Sequence, residues 1–242
     1  MDREYIRLPK TSFLPDSSRK KRVKDDTFWI KLIHFHLLKF YKEFEFDELT
    51  ALIEAEKKKI KRKHIEDLIK DYIYKWFEKN DKRIFFEGIV INLESKVKYN
   101  QVGFYDMKFQ HSDWVDIENE KLKYYSIECK NLNKKAVSID EYVYNKSKKD
   151  GGVYRHFNGK YAQFNNFGGM LGFVLNGEID KIKNSIISKL NISTDLSPEG
   201  DLIENGIELN SIEGNAFTFT SKHKRKDNEF ILHHFLFKLY DS

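Results

Sequence analysis

Gly103-Phe104-Tyr105-Asp106-Met107-Lys108-Phe109 and, after one polar connection, Tyr124-Tyr125-Ser126-Ile127-Glu128-Cys129-Lys130-Asn131 are two apolar stretches interrupted by charge. Their aromatic and branched residues read as strands. A buried strand has no structural need of Asp106, Glu128 or Lys130. The turn between the stretches centres near Ile117, in Val115-Asp116-Ile117-Glu118-Asn119-Glu120. For an antiparallel hairpin about that point, paired positions sum to roughly 234. Asp106 then lies opposite Glu128, and directly opposed Cβ atoms are ~5 Å apart. Lys130, two residues on, shares their face, while Ile127 and Cys129 point into apolar packing.

Two opposed carboxylates repel, and a divalent cation between them relieves the conflict. Mg²⁺ takes hard oxygen ligands, often one or two carboxylates with water and phosphate oxygens. Asp106, Glu128 and the Ile127 carbonyl are the candidate ligands. Lys130 is placed to orient an attacking water or to offset charge developing on a phosphate. The competing reading is ordinary surface charge on a solvent-facing sheet.

Working outward, His64 to Lys79 is the clearest helix. Ile65, Leu68, Ile69, Tyr72, Ile73, Trp76 and Phe77 form one apolar stripe at helical spacing. Helices are also predicted over 27–42 and 47–63. Strands are predicted over Arg83–Leu93, Val102–Gln110 and Lys121–Leu132. A helical region opens at Ser138, and another helix is predicted over Tyr154–Phe167. Met170–Leu175 is nearly all apolar, as in the middle of a sheet. A helix over Glu178–Leu190 follows, then a patternless loop over 191–213 and closing strands at Phe217–Ser221 and Phe230–Leu239. The order implies an α/β (α+β) protein, a mixed central sheet flanked by helices.

The 242 residues suffice for one domain with extensions. With 33% charged residues and no apolar run of ~18, no membrane span is expected. Met1 to Lys24 lacks the apolar core of a secretory signal. One cysteine excludes an internal disulfide, and a cytoplasmic protein is expected. Zinc-ligand spacings, glycine-rich phosphate loops and a paired base for Cys129 are not seen in the sequence. Basic clusters at Arg19–Lys24, Lys57–His64 and Lys222–Lys226 suit a phosphate backbone, or are solvated faces.

The helix-strand order from His64 to Leu175, with Asp106 and Glu128-Cys129-Lys130, resembles the PD-(D/E)xK nuclease superfamily, the restriction-endonuclease-like fold with an αβββαβ core. The family's metal-binding Asp maps to Asp106, with Tyr105 in place of the motif's proline. Its acid-x-lysine maps to Glu128 and Lys130. Its acid on the first core helix maps to Glu66, with Glu87 as the alternative. Tyr154-Arg155, Lys160-Tyr161 and Gly169–Val174 look like segments of nuclease subunits from bacterial phage-defence or restriction systems. So do Ser221-x-His223-x-Arg225 and Ile231-x-His233-His234. The resemblance implies Mg²⁺- or Mn²⁺-dependent endonuclease cleavage of DNA, with RNA the alternative substrate. Arg155, Lys160, Tyr161, His223 and Arg225 would contact nucleic acid. For His233 and His234 a structural role is expected. The implied organisation is a basic arm and helical extension over 1–60 and a nuclease-like domain over 61–242, with the aromatic stretch Trp29–Tyr41 a candidate docking face. No recognition domain is evident, so a homodimer or an activating partner is expected. The second reading is a catalytically silent nuclease-fold subunit that binds nucleic acid.

Overall fold

The computed structural model describes residues 24–60, 64–96, 104–116, 121–157, 165–192, 200–225 and 228–240. Its elements run α1 Asp26–Glu43, α2 Phe46–Lys57, α3 Ile65–Asn80, α4 Arg83–Phe86, β1 Val90–Lys96, β2 Phe104–Asp116, β3 Lys121–Leu132, α5 Ala136–Tyr142, α6 Gly152–Arg155, β4 Phe167–Val174, α7 Ile179–Ile192, β5 Leu202–Leu209, β6 Thr218–Arg225 and β7 Asn228–Lys238. Among the described residues the strands form one mixed sheet, in the order β1-β2-β3-β4-β7-β6-β5. The central β3, β4 and β7 are parallel, and antiparallel pairs flank them. The protein is therefore a mixed α/β molecule with a helix-covered sheet. No described helix is long and apolar enough to cross a membrane.

Strand alternation sorts the core into two layers. Tyr125, Ile127 and Cys129 of β3, Leu171 and Phe173 of β4, and Phe235 and Phe237 of β7 face α1–α4. Leu132, Met170, Val174, Leu232 and Leu236 face α5–α7. Every residue of β4 is buried, which explains its nearly unbroken apolar sequence. The α3 stripe packs as its spacing predicts, with Ile69, Tyr72, Ile73, Trp76 and Phe77 buried.

Three expectations are corrected. Residues Arg83–Phe86 form a helical turn, not the start of a strand, and β1 begins only at Val90. The run Ile84-Phe85-Phe86 is too short for periodicity to distinguish the two, and Gly88 at φ 83° ends the turn. The loop predicted over 191–213 contains β5, the edge strand. Its Asn205-Gly206 reads as a turn signal, but Asn205, at φ 56°, lies within an irregularity of the β5–β6 ladder. Among the described residues of the helix predicted over Tyr154–Phe167, Tyr154 and Arg155 are helical, at the end of α6, and Phe167 begins β4; residues 158–164 lie outside the described set.

The boundary expected near residue 60 also falls inside a continuous core. Trp29, Ile33, Leu37 and Phe40 of α1, and Leu49 and Ile53 of α2, are fully buried in the same cluster as β3 and β4. Each such burial is worth about 1.5–3 kcal/mol, so these helices are structural. The apolar side of Trp29–Tyr41 is largely covered from within the chain, leaving Phe35 as its half-exposed aromatic residue.

Candidate functional site

The register expected for the central hairpin is present. Met107 pairs with Ile127, Lys108 with Ser126, Phe109 with Tyr125 and Gln110 with Tyr124. Nearer the turn Val115 pairs with Leu122 and Asp116 with Lys121, a different register. An irregularity between Gln110 and Val115 absorbs the offset. A uniform ladder from that turn would have put Asp106 opposite Asn131. The irregularity brings Met107 opposite Ile127, one residue short of Asp106 and Glu128.

The named pairs of the β2–β3 ladder stop at Met107–Ile127, and the Asp106 side chain takes over. Its Oδ2 accepts the Cys129 amide at 2.8 Å and its Oδ1 accepts Lys70 Nζ at 3.0 Å. Glu128 is fully buried. Its Oε1 accepts Lys130 Nζ at 2.5 Å and Arg155 Nη1 at 2.7 Å. Its Oε2 is buried without a protein partner among the described residues. Lys130 Nζ also donates to the Cys129 carbonyl at 2.8 Å and lies 3.8 Å from Glu66. Glu66 and Lys70 come from the opposite helical layer, one helical turn apart on α3. Arg155 is braced by Asp150, which accepts from its Nε and, at 2.8 Å, from its Nη2. Glu66, Lys130, Asp150, Gly151 and Arg155 line an open cleft of about 210 Å³. It lies beside the parallel β3–β4 pair, where the chain crosses over through α5 and α6.

The electrostatics follow from burial. Burial pushes the Glu128 carboxyl up to about 7, with Lys130 and Arg155 pulling the other way. Burial raises Glu66 as well. Burial disfavours the charge on Lys130, but Glu128, Glu66 and Asp106 outweigh it and hold the ammonium above the usual lysine range. For Lys70, Asp106 and Asp67 do the same. The Cys129 thiol is pushed well up by burial and is inert packing.

Of the expected site residues, Asp106, Glu128, Lys130, Glu66 and Arg155 converge. Ile127 sits at the last named β2–β3 pair with its side chain in the core. Glu87 does not join them: it accepts from His36 Nε2 at 3.0 Å and from Arg83 Nε at 2.6 Å. His223 is not a surface phosphate donor. It is fully buried, and both ring nitrogens are engaged, by Gly200 O at 2.8 Å and Ser221 Oγ at 2.7 Å. Arg225 donates to Asn165 O at 3.0 Å and stacks on Phe230. Lys160, Tyr161, residues 19–23 and 61–63 and Lys226 of the basic clusters lie outside the described residues. Sequence reading does not single out Lys70 or Asp150. The Glu66–Lys70 spacing on one helix flank was the available signal for the first; nothing local marks the second.

Among the described residues, no three His, Cys, Asp or Glu side chains converge into a metal cage. A hard divalent ion does not require one, since one or two carboxylates with water and phosphate oxygens suffice. The oxygen donors of Asp106 and Glu128, and the unpartnered Oε2 of Glu128, fit such an ion. A larger cavity of about 490 Å³ opens on the other side of the sheet, with His34 and His233 in its lining, and contains none of these acids.

The placement of Arg155 depends on close backbone contact. A Cβ on Gly151 would lie 2.5 Å from the Val143 carbonyl and 2.7 Å from Tyr144 Cα. Gly151→Ala is expected to push α6 off α5 and to cost about 1–3 kcal/mol in urea unfolding. An unchanged midpoint would mean that this contact relaxes freely.

Comparison of the chain with known protein families, with curated proteins and with solved structures finds no significant match.

Proposed function

We propose that the protein is a metal-dependent nuclease with a restriction-endonuclease-like core, hydrolysing phosphodiester bonds of DNA in bacterial phage defence or restriction. The observation that carries this reading is the convergence of Asp106, Glu128 and Lys130 at the edge of an open cleft, with Glu66 and Arg155 beside them. Asp106 and Glu128 would hold Mg²⁺ or Mn²⁺. When bound, that ion polarises a phosphate and lowers the pKa of a water. Lys130, fixed between Glu128, Glu66 and the Cys129 carbonyl, holds a proton donor at the cleft wall. Arg155, braced by Asp150, directs a planar guanidinium that suits a phosphate oxygen.

A specific observation favours the silent, nucleic-acid-binding alternative. Lys70 already neutralises Asp106, and Lys130 and Arg155 already neutralise Glu128. Incubating the purified protein with plasmid and linear DNA in Mg²⁺ or Mn²⁺, with RNA in parallel, separates the two. Cleavage blocked by a chelator is the expected result. Metal-independent binding without cleavage would favour the silent subunit.

A further inference from the structure

Lys70, Lys130 and Arg155 each face a carboxylate, whereas Lys108 does not. Among the described residues Lys108 forms no ion pair, although it is partly buried. Its ammonium lies 4.8 Å from the centroid of the Tyr124 ring. That ring is held in turn, its hydroxyl 2.5 Å from the Tyr105 hydroxyl and its carbonyl accepting from Asn165 Nδ2. Directly opposite Lys108 is Ser126, whose buried hydroxyl has no protein partner among the described residues. A partly buried cation with no carboxylate partner among the described residues is a ready anion contact.

Position supplies the rest. Lys108 pairs with Ser126, two residues before Glu128, so alternation puts it on the sheet face of Glu128, about 6.8 Å along the strand. That step is comparable to the spacing of neighbouring phosphates along one nucleic-acid strand. We propose that Lys108 binds the phosphate adjacent to the one held at Asp106, Glu128 and Lys130. The ligand is then a polynucleotide strand, engaged through at least two consecutive phosphates. This inference rests on the nuclease reading.

The test is fluorescence anisotropy of labelled DNA and RNA oligonucleotides without divalent metal, so that binding is read apart from cleavage. Lys108→Gln and Lys108→Ala are expected to bind roughly tenfold more weakly. Their log–log salt slope should be smaller by about 0.7–0.9, one phosphate contact fewer. Lys108→Arg should keep both affinity and slope, and urea midpoints should match the wild type. Wild-type affinity and slope in Lys108→Gln would overturn the role of Lys108 and leave the nuclease reading standing. A wild-type protein that binds no oligonucleotide would remove both.

Discussion

Glu128→Gln is expected to lose metal-dependent cleavage by about 10³-fold or more while remaining folded. The amide keeps the volume of the side chain, so the packing against Gly152 and Met170 survives, but it removes the charge that a divalent ion needs. Glu128→Ala is the harsher test. It leaves Lys130 and Arg155 facing a cavity, and breaking such a buried pair costs about 3–5 kcal/mol. Lys130→Ala should lose cleavage as well. Cleavage by Glu128→Gln at the wild-type rate would sink the site assignment. The same carboxyl sets a pH dependence. Because burial raises it to about 7, protons compete with the ion below that pH. Mn²⁺ affinity, measured by calorimetry, is expected to rise about tenfold per pH unit below 7 and to level off above it. A flat profile between pH 6 and 8 would exclude Glu128 as a ligand.

Acid unfolding is the second large effect. Burial drives His156 down to about 3 and His223 and His233 down to about 4, and holds His34 and His234 well below the usual histidine range. The hydrogen bonds of two of these rings fix their tautomers. Gly200 O can only accept, so His223 carries its proton on Nδ1 and its Nε2 accepts from the Ser221 hydroxyl. Ser221 Oγ then accepts His234 Nε2–H at 2.7 Å, and His234 Nδ1 accepts the Tyr142 hydroxyl at 2.9 Å. This one-way chain from Tyr142 to Gly200 has no place for a second proton on either ring. A depressed histidine binds fewer protons folded than unfolded between its two pKa values. Its contribution is therefore present above about 6.5 and is lost as pH falls toward 4. His156 and His223, both fully buried, account together for on the order of 8 kcal/mol. That is comparable to the total stability of a domain, roughly 5–15 kcal/mol. Glu128 and Glu66, raised by burial, run the other way but are fewer. Urea midpoints recorded across the acid range should fall steeply below pH 6.5, with cooperative unfolding near pH 4–5. A midpoint constant down to pH 4 would mean that these rings accept protons in place.

The amino-acid sequence by itself determined what local periodicity can carry. The α3 stripe, the apolar run of β4 and the charged interruptions of β2 and β3 were all legible, because burial on one face or two leaves a direct pattern. So was the shared face of Glu128 and Lys130, two residues apart on β3. Residues 83–86 and β5 were not legible, because one is shorter than the period that would identify it and the other is an irregular, half-solvated edge. Only the tertiary structure decided the rest of the site. Asp106 reaches the Cys129 amide and Lys70 only because an irregularity between Gln110 and Val115 resets the β2–β3 register. Lys70 and Glu66 arrive from the opposite helical layer, and Asp150 aims Arg155 across the crossover. His223, polar in the sequence, is a core residue because Ser221 and Gly200 satisfy both of its nitrogens. These are long-range pairings, set by how the layers close over the sheet, and no stretch of local sequence encodes them.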